Sequence, residues 1–67
     1  MIFYELQGEG AREVLGAFAR SLGAGAETEL LESTTQPDLF LLLCRGDAAA
    51  GVQVPAEAKV WQFRTVS

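Results

Sequence analysis

Four groups of residues in this chain are of types that could do chemistry. The first is Cys44, the one cysteine. A thiol becomes a good nucleophile when a nearby cation lowers its pKa, and Arg45 is adjacent. Neighbours on a strand point to opposite faces, however, so Arg45 is not aimed at the thiol. Cys44 is therefore expected to be a buried structural residue, as free cysteines usually are. The second group is Gly8-Glu9-Gly10 ahead of a helix, where backbone N–H groups can cradle an anion. The third glycine of a dinucleotide fingerprint is missing, Glu13 stands in its place, and no P-loop lysine follows. A plain strand-to-helix turn is the better reading. The third group is Glu27, Glu29 and Glu32. Glu27 and Glu29 share a strand face and could offer oxygen ligands to a divalent cation. Too few ligands are in sight, so no metal site is expected, and the carboxylates read as the solvated side of an edge strand. The fourth group is aromatic. Tyr4, Trp61 and Phe63, with Phe3, could line a small apolar pocket against a sheet, the Trp N–H and Tyr O–H serving as polar handles. The plainer reading is that they fill the core or a subunit interface, because so short a chain has little other bulk.

The residues that are missing narrow the chemistry further. There is no histidine and no asparagine. That removes the commonest general base, the commonest zinc ligand and any Ser-His-Asp or Cys-His arrangement. A lone thiol makes no internal disulfide and seeds no four-ligand metal centre, which suits a reducing interior. No catalytic residue is assigned, no cofactor is expected, and whether the chain is an enzyme stays open. Nine acidic residues against five basic ones give a net charge of −4. That balance argues against nucleic acid, whose binding needs a basic patch to release counterions. No stretch approaches the roughly 20 apolar residues of a membrane span. The N-terminus lacks the charged region and apolar run of a signal peptide, so the expected location is the cytoplasm, with no membrane partner. Arg outnumbers Lys four to one, and Ala plus Gly make up seventeen residues, a bias read as GC-rich coding. Absent asparagine and scarce Met and Cys agree with a thermophilic source.

What must position these residues is a single domain, residues 1–67, since 67 residues cannot build two cores. At 49% hydrophobic and 21% charged the chain is too apolar to be disordered. Met1 to Gln7 alternates, with Ile2, Tyr4 and Leu6 on one side and Phe3, Glu5 and Gln7 on the other, and reads as a strand. From Ala11 the period changes. Ala11, Val14, Leu15, Phe18, Ala19 and Leu22 fall on one arc of a helix that stops at Gly23. Its start carries no capping side chain. Ala26 to Thr35 is a second, polar strand, ended by the turn Gln36-Pro37-Asp38. Leu39 to Cys44 is apolar at every position, as in a strand covered on both faces. Asp47 could cap one helical turn through Ala48, Ala49 and Ala50, ended by Gly51. Val52 to Pro55 is then extended, and Ala58 to Val66 is the last strand.

The predicted fold is α+β: a ferredoxin-like split β-α-β-β-β with a four-stranded antiparallel sheet. The strand order is 4-1-3-2, with one helix on one face and the second helix reduced to a turn or absent. This order sets the apolar strand inside and the acidic one at an edge. Four strands span roughly 15–20 Å, while one helix is about 10 Å wide. The lone helix cannot cover its own face, and nothing covers the other. A sticky face of that size points to a homodimer packed sheet to sheet.

The β-α-β-β order, the stretch from Glu29 through Pro37-Asp38 to Leu43, and the closing Val60-Trp61-Gln62-Phe63-Arg64 resemble the dimeric α/β-barrel superfamily. The nearest likeness is to its antibiotic-biosynthesis-monooxygenase-like branch. The resemblance implies a sheet-paired dimer. In that branch, cofactor-free quinone-forming members use an Asn with tryptophans, and haem-degrading members use Asn, Trp and His. This chain has neither Asn nor His, and Trp61 is its one tryptophan, so neither set carries over. The resulting expectation is a small cytoplasmic homodimer of structural or interaction type. The alternative is an apolar-ligand-binding or cofactor-independent oxygenase-like protein with a pocket lined by Tyr4, Trp61 and Phe63. A regulatory amino-acid-sensing domain ranks third, because such domains are usually fused to an enzyme.

Overall fold

A computed structural model describes residues 1–46 and 52–66. Strands form where the apolar period is two. β1 spans Ile2–Gln7, β2 Thr28–Glu32, β3 Leu39–Cys44 and β4 Lys59–Gln62. Where the period is helical, α1 runs over Ala11–Leu22. A short 3-10 turn, Ala24–Ala26, follows it. The sheet has the order β2-β3-β1-β4, and every neighbouring pair is antiparallel. β1 and β2 both run against β3, so they are parallel to each other with β3 inserted between them. This is the split β-α-β-β-β arrangement expected from the pattern. Its interior strand is the all-apolar one, and its acidic strand lies at an edge.

The core occupies one face of the sheet. Tyr4 and Leu6 of β1 and Phe40, Leu42 and Cys44 of β3 pack against Leu15, Phe18 and Leu22 of α1. The Tyr4 and Phe18 rings meet edge to face, 4.8 Å apart at 80°, the geometry their quadrupoles favour. Leu15 and Leu42 are fully buried. Each contributes about 1.5–3 kcal/mol relative to an exposed side chain. Ile2, Ala19 and Val52, the last in the connection from β3 to β4, are partly buried against this core. At the sheet edges cover fails: Leu30 and Val60 stay 38% and 53% exposed.

Element ends depart from expectation for local reasons. β2 starts late because the chain after Gly23 winds into the 3-10 turn and passes Glu27 with a left-handed φ of 51°. It stops early because the Ser33 hydroxyl accepts hydrogen bonds from the N–H groups of Thr35 and Gln36, at 3.2 and 3.0 Å. Such local bonds compete with a ladder. β4 ends at Gln62, although Phe63 N–H still donates to the Met1 carbonyl at 2.8 Å and Met1 N to the Phe63 carbonyl at 2.7 Å. The helix opens on Gly10, at a φ of 83°, without a side-chain cap. The turn foreseen at Asp47 to Gly51 lies outside the described residues.

One architectural expectation is corrected. β2 and β4 form the two ends of the sheet and do not pair with each other. The sheet is open, not closed or curled into the barrel that the resemblance implied. Four strands with two free edges cannot close. Among the described residues no helix is long and apolar enough to cross a membrane.

Candidate functional site

Strand alternation sends every second residue to the face opposite α1. The register sorts these residues into rows. Glu29, Leu43, Phe3 and Trp61 lie side by side across the four strands, and Leu31, Leu41, Glu5 and Lys59 form the next row. Beyond the first row, Arg45 N–H bonds the Glu27 carbonyl, and Met1 pairs with Phe63. No element among the described residues packs over this face. Trp61 is 47% exposed and Phe63 53%. The Phe3 and Phe63 rings meet edge to face at 5.3 Å and 83°. Met1, Phe3, Glu5, Leu41, Trp61 and Phe63 line an open concavity of about 650 Å³. A half-exposed aromatic leaves on the order of 100 Å² uncovered, so with its neighbours the patch reaches a few hundred Å².

Polar groups stand around this patch. Trp61 Nε1 donates to Glu5 Oε1 at 3.2 Å. Arg45 Nη2 and Glu29 Oε1 form an ion pair at 3.2 Å with both side chains about half exposed (54% and 51%). An exposed pair of this kind contributes about 0–1 kcal/mol to folding. Its interest is its position, at the margin of an apolar field.

The three candidate pocket residues are not brought together. Trp61 and Phe63 share the open face. Tyr4 points the other way, into the core beneath Phe18, as its pairing with Val60 requires. Burial, and secondarily the neighbouring Cys44, raises the Tyr4 phenol above its ordinary pKa of 10.0. Met1, Glu5 and Leu41 were not singled out from the sequence, yet they line the concavity. Their signal was parity: Met1 and Glu5 are odd-numbered, like Phe3, and Leu41 pairs with Glu5.

The remaining candidates resolve into structural roles. Cys44 is buried, and its Sγ donates to the carbonyls of Ala26 and Gly46 at 3.3 and 3.4 Å. Arg45 is drawn to Glu29 instead of the thiol. Gly8 N–H is engaged by the Asp38 carbonyl at 2.9 Å, and the Gly8 carbonyl accepts from Ala11, so this turn ties the helix start to the hairpin. The glutamates diverge. Glu29 lies on the open face, Glu32 pairs with Phe40 and so lies on the helix side, and Glu27 sits in the left-handed bend. Among the described residues no three metal-ligating side chains converge.

No family model, curated protein or solved structure matches this chain. The resemblance to the dimeric α/β-barrel superfamily and its monooxygenase-like branch is thereby corrected, as the open sheet already required. Its motifs were an apolar strand after a Pro-Asp turn and a closing aromatic strand. Both are too generic to identify a family. The thermophilic reading of the composition finds no support either. Among the described residues one exposed ion pair is present, not the networks that mark such proteins. Among the described residues the molecule is a small α+β domain without an evident catalytic set, which is consistent with a structural or interaction role.

Proposed function

We propose that this chain is a small cytoplasmic homodimer of structural or interaction type, and that its open sheet face meets the same face of a second copy. One observation carries the reading: Met1, Leu31, Trp61 and Phe63 on that face stay 37–53% exposed, while Tyr4, Leu6, Phe40 and Leu42 on the helix side are buried. A chain of 67 residues buries only about 60% of the surface its unfolded form exposes, so an apolar face left in water is a heavy liability. The composition of the face supports a copy of the same chain as the occupant. It has an apolar centre, a polar margin, and charges of both signs, Glu5 and Glu29 with Arg45 and Lys59, as a self-complementary surface needs. Sedimentation velocity over a dilution series tests this. A dimer at micromolar concentration is expected, and a monomer that persists to about 100 µM, where even weak specific pairs form, overturns it.

A second reading is favoured by the concavity itself. Its volume of about 650 Å³ falls within the range of small-molecule sites, roughly 300–1,000 Å³. An apolar ligand could rest against Trp61 and Phe63, with Glu5 as its polar contact. Titration of the chain with an uncharged aromatic probe, read by Trp61 fluorescence, tests it. Saturable quenching supports a ligand site, and a linear response refutes one.

A further inference from the structure

Charge on the open face selects one packing of two copies. The apolar residues run as a diagonal band, from Phe63 and Met1 at one corner, through Phe3 and Leu41, to Leu39 at the opposite corner. The two remaining corners are charged. Glu29 with Arg45 flanks the band on one side, and Lys59 with Glu5 flanks it on the other. Strands lie about 4.8 Å apart and two residues advance about 6.8 Å, so Lys59 and Glu29 each stand about 8 Å from the band's midline. They are nearly level along it.

A two-fold axis lying between two facing sheets carries each residue to the same place along the axis and the opposite side of it. Resting on the self-pairing proposed above, we infer that the two copies pair about an axis along this diagonal. The apolar band packs on itself, and Lys59 of each copy meets Glu29 of the other. Phe3 and Leu41 fall on the axis, each against its own counterpart. The strands of the two sheets then cross at about 70°, toward the orthogonal class of sheet packing. The other symmetric choices are worse. An axis along the strands sets Glu29 on Trp61. An axis across them sets Lys59 on Trp61. The opposite diagonal brings the two Glu5 carboxylates together.

Lys59 is the one lysine in the chain, which makes the contact directly testable. A mixture of ¹⁴N- and ¹⁵N-labelled full-length protein, re-equilibrated and treated with a zero-length carbodiimide coupler, should give mixed-isotope peptides joining Lys59 to Glu29. Mixed-isotope peptides that join Lys59 to another carboxylate, or their absence from a sample that sediments as a dimer, overturn the axis and leave self-pairing intact. A sample that sediments as a monomer overturns the self-pairing itself. Charge reversal gives a second measure. K59E and E29K should each weaken the dimer on the order of tenfold, since each makes two like-charge contacts. The double variant should recover most of that loss. A double variant as weak as the two single losses combined rejects the pairing of these two residues.

Discussion

Trp61 is the largest apolar group on the open face, and its exposed half is what a second copy would cover. Its side chain is 47% exposed, which leaves on the order of 100 Å² for a second copy to cover. At about 25 cal/mol per Å² that burial contributes about 2.5 kcal/mol per copy, or about 5 kcal/mol per symmetric pair. Loss of both indoles should raise the dissociation constant by three to four decades, at about 1.4 kcal/mol per decade. Inside one copy the other half of the side chain is already covered, which contributes about 2–3 kcal/mol to folding, and its exposed hydrogen bond to Glu5 adds about 1 kcal/mol or less. Trp61→Ala should thus lower the stability of dilute protein by about 2–3 kcal/mol and, beyond that, abolish association at micromolar concentration. Sedimentation equilibrium over a concentration series measures the association. Because Trp61 is the only tryptophan, its emission reports the same event, moving to the blue as wild-type protein is concentrated. A Trp61→Ala protein that associates within tenfold of wild type refutes the assignment of this face as the interface.

Three further outcomes follow from the core and the loops. Gly46→Ala should lower stability by about 2 kcal/mol or more, because a Cβ there runs into the Gly25 carbonyl and crowds the Gly46 N–H bond to Ala26. Urea unfolding measures it, and an unchanged midpoint means the loop yields at no cost. Leu42→Ala, at a fully buried position, should cost about 2–5 kcal/mol by the same assay, and a loss below about 1 kcal/mol contradicts the packing described. Tyr4 is the only tyrosine, so phenolate absorbance reports it alone. Its raised pKa means that the fold favours the neutral phenol. The stability it supplies is therefore intact below pH 10 and lost as pH rises beyond that toward the folded value. A phenolate transition at or below pH 10 in the folded protein contradicts its burial.

The architecture was legible because two strong signals agreed. Leu39–Cys44 is apolar at every position and demanded an interior strand, and the helical arc from Ala11 to Leu22 is unambiguous. With the short hairpin between β2 and β3, these leave one reasonable strand order. Boundaries were less legible where side chains bond to the nearby backbone, as Ser33 does, or where glycines permit a turn, as after Gly23. The site was half legible. Phe3 announced apolar surface on the second face, and Trp61 and Phe63 fall on that face. Tyr4 was grouped with them by residue type, although type does not tell which face a side chain takes. That needs the register, in which Phe3 lies opposite Trp61 and Tyr4 opposite Val60.

Register also explains how so short a chain carries two surfaces. In all four strands the even-numbered residues face the helix and the odd-numbered residues face away. Tyr4, Leu6, Phe40 and Leu42 build the core, while Phe3, Leu41 and Trp61 build the open patch. β3 is the only strand apolar in both series, so it holds the domain together on one side and presents the patch on the other. A shift of one residue in the pairing of β1 or β4 would exchange that strand's two sets and leave Glu5 or Lys59 facing the core. The charges on the odd series therefore do double work. They forbid the slipped register within one chain, and around the apolar band they limit which way a second copy can sit. In the proposed dimer, fold and association are encoded on alternate residues of the same strands. Substitutions in β1 and β3 should sort accordingly, even positions and the buried Leu43 moving the unfolding midpoint, the other odd positions moving chiefly the association constant.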